Sequence, residues 1–314
     1  MTSKMAASTK ISSVFRPSLF KDKVAIVTGG GTGIGKAITQ ELLFLGCNVM
    51  IASRNIERLA HSADQIRNDI KPYNSRVRLE HMQCNIRNEE QVQNLISTTL
   101  TKFGKLDFLV NNGGGQFPSP AADIRLKGWN AVIETNLTGT FLCCREAYKQ
   151  WFEEHGGVIV NIIADMWKGF PMMSHTGAAR AAVDNLTKSL AIEWADKGVR
   201  VNSVAPGSSI YSETAAANYG SADIFNSYIP KVPAQRLGRV EEVSSCVCYL
   251  LSPAASFISG ETVKVDAGAS LYSTMWTIPD HSKLPAYSWD NDSSVAAADD
   301  DNDDSSGSGT KSKL

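Results

Sequence analysis

The sequence predicts an α/β protein with a doubly wound parallel sheet of about seven strands. Short apolar runs alternate with longer amphipathic segments from residue 24 to residue 265, and this is the pattern of repeated β-α-β units. The first run, Val24-Ala25-Ile26-Val27, has no polar residue, as expected of a parallel strand that is buried on both faces. A glycine-rich turn and a helical segment follow it directly.

The alternation continues in order along the chain. Strands are predicted at 24–27, 48–52, 76–82, 106–110, 158–163, 199–204 and 262–265. Helices are predicted at 33–45, 56–70, 89–103, 122–134, 138–154, 177–194 and 241–251. The segment 207–239 lacks regular periodicity. Two interpretations stay open for it, a loop pair that covers the substrate or an ordinary surface insertion.

Composition and charge exclude several classes of protein. The 314 residues carry 31 basic and 32 acidic side chains, which argues against a strongly basic nucleic-acid binder. No apolar run approaches the 18 residues that a membrane span requires. The net charge is +4 over residues 1–23 and −5 over residues 290–314. These segments predict a disordered basic leader at 1–20, one domain at 21–278 and a flexible acidic tail at 279–314.

The last three residues predict a location. Ser312-Lys313-Leu314 is the tripeptide that the peroxisomal import receptor recognises, so we expect that receptor as a partner and the peroxisome as the destination. The Ser-rich basic start has a weaker mitochondrial character, and we interpret it as a plain leader. Six cysteines form no CxxC pair and no signal peptide precedes them, which indicates reduced structural thiols and no metal site.

The glycine-rich turn predicts a nucleotide site of the Rossmann type. It reads Thr28-Gly29-Gly30-Gly31-Thr32-Gly33-Ile34-Gly35 and joins the first strand to the first helix. Gly29 would allow the tight turn, Gly33 the approach of the pyrophosphate, and Gly35 close packing of the helix on the strand. The N–H groups and the positive end of that helix would face the phosphates.

The end of the second strand indicates NADPH rather than NADH. An NAD site requires a carboxylate about 20 residues after the glycines, to bind the ribose 2′-hydroxyl. Ser53 and Arg54 stand there, and the next acidic residue is Glu57. Arg54 can pair with a 2′-phosphate and Ser53 can donate a hydrogen bond to it. The alternative is an Arg54 that lies at the surface without such a role.

Four motifs resemble the short-chain dehydrogenase/reductase family over about residues 20–275. Besides the glycine turn they are Asn111-Asn112-Gly113-Gly114 after the fourth strand, Asn136 in Asn-Leu-Thr-Gly, and Pro206-Gly207 after the sixth strand. The stretches 84–90, 111–117, 175–180 and 185–190 are closely similar to the peroxisomal trans-2-enoyl-CoA reductases, whose branch also holds the 2,4-dienoyl-CoA reductases. The resemblance implies a homotetramer that acts in fatty acid elongation or lipid metabolism. The apolar face around Phe141, Leu142, Tyr148 and Trp151 would allow such assembly.

The resemblance also assigns residues to the cofactor. Asn85 and Ile86 would cover the adenine. Asn112 and the glycines after it, Gly113 and Gly114, would line the ribose and the approach to the nicotinamide. Pro206 and Gly207 would contact the carboxamide end. Asn136 would position a water or the substrate.

The expected catalytic pair of the family is missing. The family carries Tyr-x-x-x-Lys with a Ser 13 residues before the Tyr. The small residues after Arg180 align this position with the family's Lys, which places Thr176 at the Tyr position and Ile163 at the Ser position. A second register, one turn later, would use Asp184 and Lys188. We adopt the first, because its small residues match the family's helix.

These replacements disfavour reduction of a ketone and favour reduction of an enoyl thioester. Such a reduction leaves enolate charge on the thioester oxygen, which Thr176 and Asn136 could stabilise as hydrogen-bond donors. Arg180 could bind the ribose but could not relay a proton. His175 is a candidate acid, since an imidazole titrates near neutral pH, or it could only order the helix start. The sequence therefore predicts an NADPH-dependent trans-2-enoyl-CoA reductase. A 2,4-dienoyl-CoA reductase and a non-catalytic NADP-binding protein stay open as alternatives.

Overall fold

Seven strands form one parallel sheet in the computed structural model of the chain, which describes residues 13–212, 216 and 223–272. These strands are β1 (Val24–Thr28), β2 (Asn48–Ser53), β3 (Leu79–Gln83), β4 (Phe108–Asn111), β5 (Gly157–Ile162), β6 (Val199–Pro206) and β9 (Thr262–Val265). Their order across the sheet is β3-β2-β1-β4-β5-β6-β9. Two short strands, β7 (Ile210–Tyr211) and β8 (Gly238–Arg239), pair separately. The predicted fold class is confirmed.

Helices cover both faces of the sheet. They are α1 (Gly33–Phe44), α2 (Ile56–Ile70), α3 (Glu89–Phe103), α4 (Leu126–Ile133), α5 (Gly139–Ala147), α6 (Glu153–His155), α7 (Ser174–Glu193), α8 (Asp223–Asn226) and α9 (Val240–Leu251). Wider π-type turns, Glu134–Thr138 and Tyr148–Phe152, join α4 to α5 and α5 to α6. Short 3-10 turns lie at Ala121–Asp123, Ala195–Lys197, Ile229–Lys231 and Pro253–Ala255.

The apolar runs are explained by a core on each face of the sheet. In β1, Ala25 and Val27 pack with residues of α1 and α9, whereas Ile26 packs with residues of α3 and α5. Successive side chains of a strand point to opposite faces. Because both faces are covered, every residue of the central strand must be apolar or small.

Helix α7 begins at Ser174, three residues before the predicted start. Glycine disfavours a helix interior by roughly 1 kcal/mol relative to alanine, so Gly177 resembled a boundary. Within α7 it permits close packing, since a Cβ atom at Gly177 would lie 3.1 Å from Cβ of Phe170. His175 and Thr176 consequently lie in the first turn of α7 and not in the preceding loop.

The domain begins earlier than predicted. Residues 13–20 were assigned to the leader, yet Phe20 is 1% exposed and its ring packs edge-on against Phe108. The Ser13 hydroxyl donates a 2.7 Å hydrogen bond to Oε1 of Glu41. Burial raises the pKa of Glu41, although hydroxyl donors from Ser13 and α9 oppose the shift. Residues 1–12 of the predicted leader and the whole predicted tail, 279–314 with Ser312-Lys313-Leu314, lie outside the described residues.

The findings on membrane helices, metal ligands and cysteines apply to the described part of the chain alone. There, no helix is long and apolar enough to cross a membrane. No cluster of three or more potential metal ligands occurs among the same residues. The cysteines carry free thiols, and burial raises the pKa of Cys84 to about 11 and of Cys144 to about 12. Such thiols are protonated at neutral pH.

Candidate active site

The glycine turn lies at the carboxyl end of β1 and has no room for side chains at several positions, Gly29 and Gly35 among them. Gly29 adopts a φ of +65°, and its N–H donates a 2.7 Å hydrogen bond to the carbonyl of Ala52. A Cβ atom at Gly35 would lie 2.2 Å from the Gly29 carbonyl oxygen. Helix α1 therefore packs directly on the turn. Thr32, Gly33 and Ile34 lie at its positive end, where N–H groups can bind phosphate.

The loop after β4 holds this turn in place. The Thr28 hydroxyl oxygen accepts hydrogen bonds from the backbone N–H groups of Asn112 (3.1 Å) and Gly113 (2.8 Å). The Asn112 side-chain amide donates to the carbonyls of Thr28 (3.0 Å) and Gly29 (3.3 Å). Both residues were predicted to contact the cofactor. Their polar groups are used here to fix the shape of the cradle that a dinucleotide pyrophosphate would fit.

The other predicted cofactor residues lie at the same edge of the sheet. Ser53 ends β2 and Arg54 follows it with an exposed side chain. Asn85 and Ile86 follow β3, and Ile86 packs against Gly113 and Gly139. Pro206 ends β6, and the N–H of Gly207 donates to the Val265 carbonyl at 2.9 Å.

Gly114, Asn136 and Arg180 meet beside this edge. A Cβ atom at Gly114 would lie 2.4 Å from Nη2 of Arg180 and 2.8 Å from Oδ1 of Asn136. Arg180 is 8% exposed, and its Nη1 donates to the Ile162 carbonyl at 2.9 Å. Asn136 lies in the π-type turn before α5, and its amide binds both the N–H (3.0 Å) and the carbonyl (2.9 Å) of Gly115. Asn136 thus fixes the loop that passes over Arg180.

Thr176 and His175 present two buried polar atoms with no hydrogen-bond partner in the described part of the chain. These atoms are Thr176 Oγ1 and His175 Nε2, and both residues are fully buried. His175 Nδ1 accepts the backbone N–H of Thr176 at 2.9 Å. In a neutral imidazole the proton must then reside on Nε2. The pair therefore offers an N–H donor and a hydroxyl one helical turn from Arg180.

The side chains of Asp184, Lys168 and Ile163 have partners within the chain. Asp184, from the second register, accepts hydrogen bonds from Lys188 and from Thr262 of β9, both at 2.6 Å. The bond to Thr262 joins α7 to the sheet. Lys168 donates to the carbonyls of Ala269 and Tyr272. Ile163 packs with Val183 and Ala205.

Two tyrosines of the segment 207–239 also pack within the chain. Tyr211 packs edge-on against Phe225, and the ammonium of Lys231 lies over the Tyr228 ring. These contacts agree with a packing role for both tyrosines.

The loops after β5 and β9 bring two carboxylates near the site. Burial raises the pKa of Asp165, and the neighbouring Asp266 raises it further. Burial also opposes ionisation of Asp266, but its pKa is lowered because Ser270 and the Gly268 N–H donate hydrogen bonds to it. Asp266 therefore ionises more readily than Asp165.

Two contacts of the site were missed at the sequence level. The Phe117 ring packs edge-on against His175, with 4.6 Å between centroids, and Gly115 is the partner of Asn136. Gly115 and Phe117 follow the glycine run after β4, where the sequence has no helical or strand periodicity. Proximity to Gly113 and Gly114 was the only available indication.

The sheet order and the cradle at its carboxyl edge define a Rossmann-type dinucleotide-binding protein. The family model described as enoyl-(acyl carrier protein) reductase matches residues 29–270. The chain belongs to the short-chain dehydrogenase/reductase family, whose fold binds a nicotinamide cofactor, and it is an oxidoreductase.

Relatives and solved structures agree with this family. The chain is 36% identical to the peroxisomal 2,4-dienoyl-CoA reductase of Danio rerio over 84% of this chain and 87% of that protein. It is 35% identical to a probable 2,4-dienoyl-CoA reductase of Bacillus subtilis, over 78% and 96%. The structure of the citronellol catabolism dehydrogenase AtuB from Pseudomonas aeruginosa superposes with a TM-score of 0.71 at 41% identity, over 82% and 99%.

The cradle can be tested with Gly35→Ala. The new methyl group would collide with the Gly29 carbonyl, whereas at Gly31 the nearest atom to a Cβ is the flexible Cδ1 of Leu59, at 3.0 Å. We expect Gly35→Ala to raise the Kd for NADPH at least tenfold, and Gly31→Ala to raise it far less. Fluorescence titration measures both. Equal Kd values for Gly35→Ala and the wild type would contradict a phosphate cradle at this turn.

Proposed function

We propose that this protein reduces trans-2-enoyl-CoA thioesters to saturated acyl-CoA with NADPH. The observation that carries the proposal is the pair of buried donors at Thr176 and His175, one turn from Arg180, which have no hydrogen-bond partner among the residues that the structure describes. A buried polar group without a partner is costly, and a thioester oxygen would supply the missing acceptor. The names of the relatives support an acyl-CoA substrate.

Each element at the edge of the sheet has a proposed role toward the cofactor. The turn from Gly29 to Gly35 would bind the pyrophosphate, and Ser53 with Arg54 the 2′-phosphate. Asn85 and Ile86 would lie against the adenine. Gly113, Gly114, Pro206 and Gly207 would surround the nicotinamide end, with Arg180 on its ribose. When bound, the reduced nicotinamide supplies a hydride.

The chain itself would stabilise the charge that develops on the substrate. Reduction of the conjugated double bond places negative charge on the thioester oxygen. Fixed donors at such an oxygen are a large source of rate enhancement, and Thr176 Oγ1 with His175 Nε2 would supply them. Asn136 would act indirectly, because its amide is engaged with Gly115. The proton required at Cα would come from water, because a neutral His175 whose Nδ1 accepts the Thr176 N–H would have to become an imidazolate to supply it.

A 2,4-dienoyl-CoA is the second candidate substrate. The names of the vertebrate and bacterial relatives favour it. The same donors would serve both reactions, since both leave charge on the thioester oxygen. The purified protein given each substrate separately, with loss of NADPH absorbance as the readout, distinguishes them. NADPH binding without turnover of either would indicate a non-catalytic binding protein.

The assembly and the location are further parts of the proposal. Phe141 is partly exposed on α5, whereas Leu142 is buried, Tyr148 stacks on Trp194 and Trp151 stacks on His155. We propose a homotetramer that uses this helix surface, which sedimentation of the purified protein tests. The peroxisomal names of several relatives support a peroxisomal location.

The choice of cofactor can be tested with Arg54→Ala. An exposed arginine that pairs with a 2′-phosphate supplies a charge-assisted hydrogen bond of about 1.5–3 kcal/mol. We expect the wild-type KM for NADPH to lie well below that for NADH. Arg54→Ala should reduce the ratio of the KM for NADH to the KM for NADPH about tenfold or more. Arg76→Ala, on an exposed arginine at the opposite edge of the sheet, is the control. Equal wild-type KM values would refute the assignment.

The oxyanion donors can be tested with Thr176→Val, which removes the hydroxyl at similar volume. Loss of one such donor lowers kcat by about 10²–10³-fold, and Thr176→Ser should retain most of the rate. The assay follows NADPH oxidation with trans-2-enoyl-CoAs of 6 to 16 carbons. Lys188→Ala should keep the wild-type rate. The second register would be supported instead if Lys188→Ala abolished turnover while Arg180→Ala kept full rate and cofactor affinity.

The location can be tested with a fluorescent protein fused before Met1. We expect the full chain to colocalise with a peroxisomal marker, because the terminal tripeptide is read by an import receptor. Removal of Ser312-Lys313-Leu314 should leave the fusion in the cytosol, whereas Lys311→Ala should change nothing. Peroxisomal fluorescence that persisted without the tripeptide would exclude it as the address.

A further inference from the structure

Phe117 lies where the loop after β4 reaches the first turn of α7. Two residues earlier, this loop is fixed by the bonds between Gly115 and Asn136. The Phe117 ring then packs at nearly a right angle against His175, with 4.6 Å between ring centroids. On its other side the ring meets α4, where a Cβ atom at Gly128 would lie 2.9 Å from its Cζ. The absence of a side chain at Gly128 thus leaves room for the Phe117 ring.

A second loop joins the first at this point. The N–H of Ser119 donates a 2.7 Å hydrogen bond to the carbonyl of Met172, in the loop after β5. Met172 adopts a φ of +66°, which is unusual for a residue with a side chain. Phe170, two residues before it, packs on α7 at Gly177. The position of Met172 is therefore determined from both sides, by the first loop and by the helix.

The two loops leave apolar surface open beside the buried donors. Phe117 is 39% exposed and Met172 is 50% exposed, although both are anchored by defined contacts. Along α7, Arg180, Thr176 and His175 follow one another away from the cofactor edge, and Phe117 stands at the level of His175. A thioester bound at Thr176 and His175 would direct its acyl chain past this surface.

We propose that Phe117 and Met172 form the wall that binds the acyl chain and makes the protein prefer longer substrates. This inference rests on the proposed function, because it assumes an acyl thioester at Thr176 and His175. The carbons beyond the reacting double bond would lie against the open face of the Phe117 ring. Each methylene buried there would strengthen binding by about fourfold.

Calorimetry with saturated acyl-CoAs, in the presence of NADP⁺, tests the wall without depending on turnover. The probes are butyryl-CoA and decanoyl-CoA. We expect the wild type to bind decanoyl-CoA much more tightly, and Phe117→Ala to reduce the ratio of the two Kd values at least tenfold. Phe117→Leu keeps an apolar side chain and should keep most of the ratio. Phe257→Ala is the matched control, since Phe257 is fully exposed beside the amino ends of β5 and β6.

The outcomes separate this inference from the proposed function. If the wild type prefers decanoyl-CoA and Phe117→Ala keeps the same ratio, the wall lies elsewhere and the inference is wrong, while the proposed function stands. A ratio that fell equally in Phe257→Ala would also overturn it. If the wild type binds neither acyl-CoA, the proposed function itself fails. A loss of the ratio in Phe117→Ala that Phe257→Ala does not share supports the wall.

Discussion

The position of helix α7 on the sheet is the constraint on which the site depends. Three polar side chains on one face of α7 bind the sheet at different heights. Arg180 donates to the carbonyl of Ile162 at the end of β5, Asp184 accepts from Thr262 of β9, and Thr187 accepts from Asn161 of β5. A shift of α7 by one turn would break all three bonds and leave buried groups unpaired, at about 1–3 kcal/mol each. These three hydrogen bonds fix the position of α7 along its axis, and with it the positions of Thr176 and His175 relative to the sheet.

The anchors continue into a buried polar chain across the sheet. Asn111 of β4 donates to Asn161 at 2.9 Å, and the Thr187 hydroxyl contacts that of Ser203 in β6 at 2.7 Å. Asn111 directly precedes the loop that carries Asn112, Gly113 and Gly114. The same set of contacts therefore connects the helix that carries the donors with the loop that holds the glycine turn. One set of contacts thus joins the glycine turn to the helix that carries Thr176 and His175.

Local patterns made the fold predictable, and distant contacts limited the prediction of the site. The apolar runs and the glycine turn depend on neighbours in sequence, so strand order and cradle position followed from them. The pairing of Asn136 with Gly115 and the packing of Phe117 on His175 join residues 21 and 58 positions apart. No periodicity signals such pairs. Phe20 was missed for a similar reason, because its partner Phe108 lies in a strand far along the chain.

The replacements at Thr176, Arg180 and Ile163 are consistent with one another. A phenol acid needs a neighbour that lowers its pKa and a hydroxyl that orients the carbonyl, and Ile163 packed with Val183 and Ala205 provides neither. An oxygen that only accumulates charge needs fixed donors and no proton transfer to itself. A permanent guanidinium at Arg180 then carries no disadvantage, since the lack of a titratable proton matters only in a relay. The apolar surroundings of Ile163 would strengthen each donor by excluding water. These replacements agree with the proposed reduction of a carbon–carbon double bond.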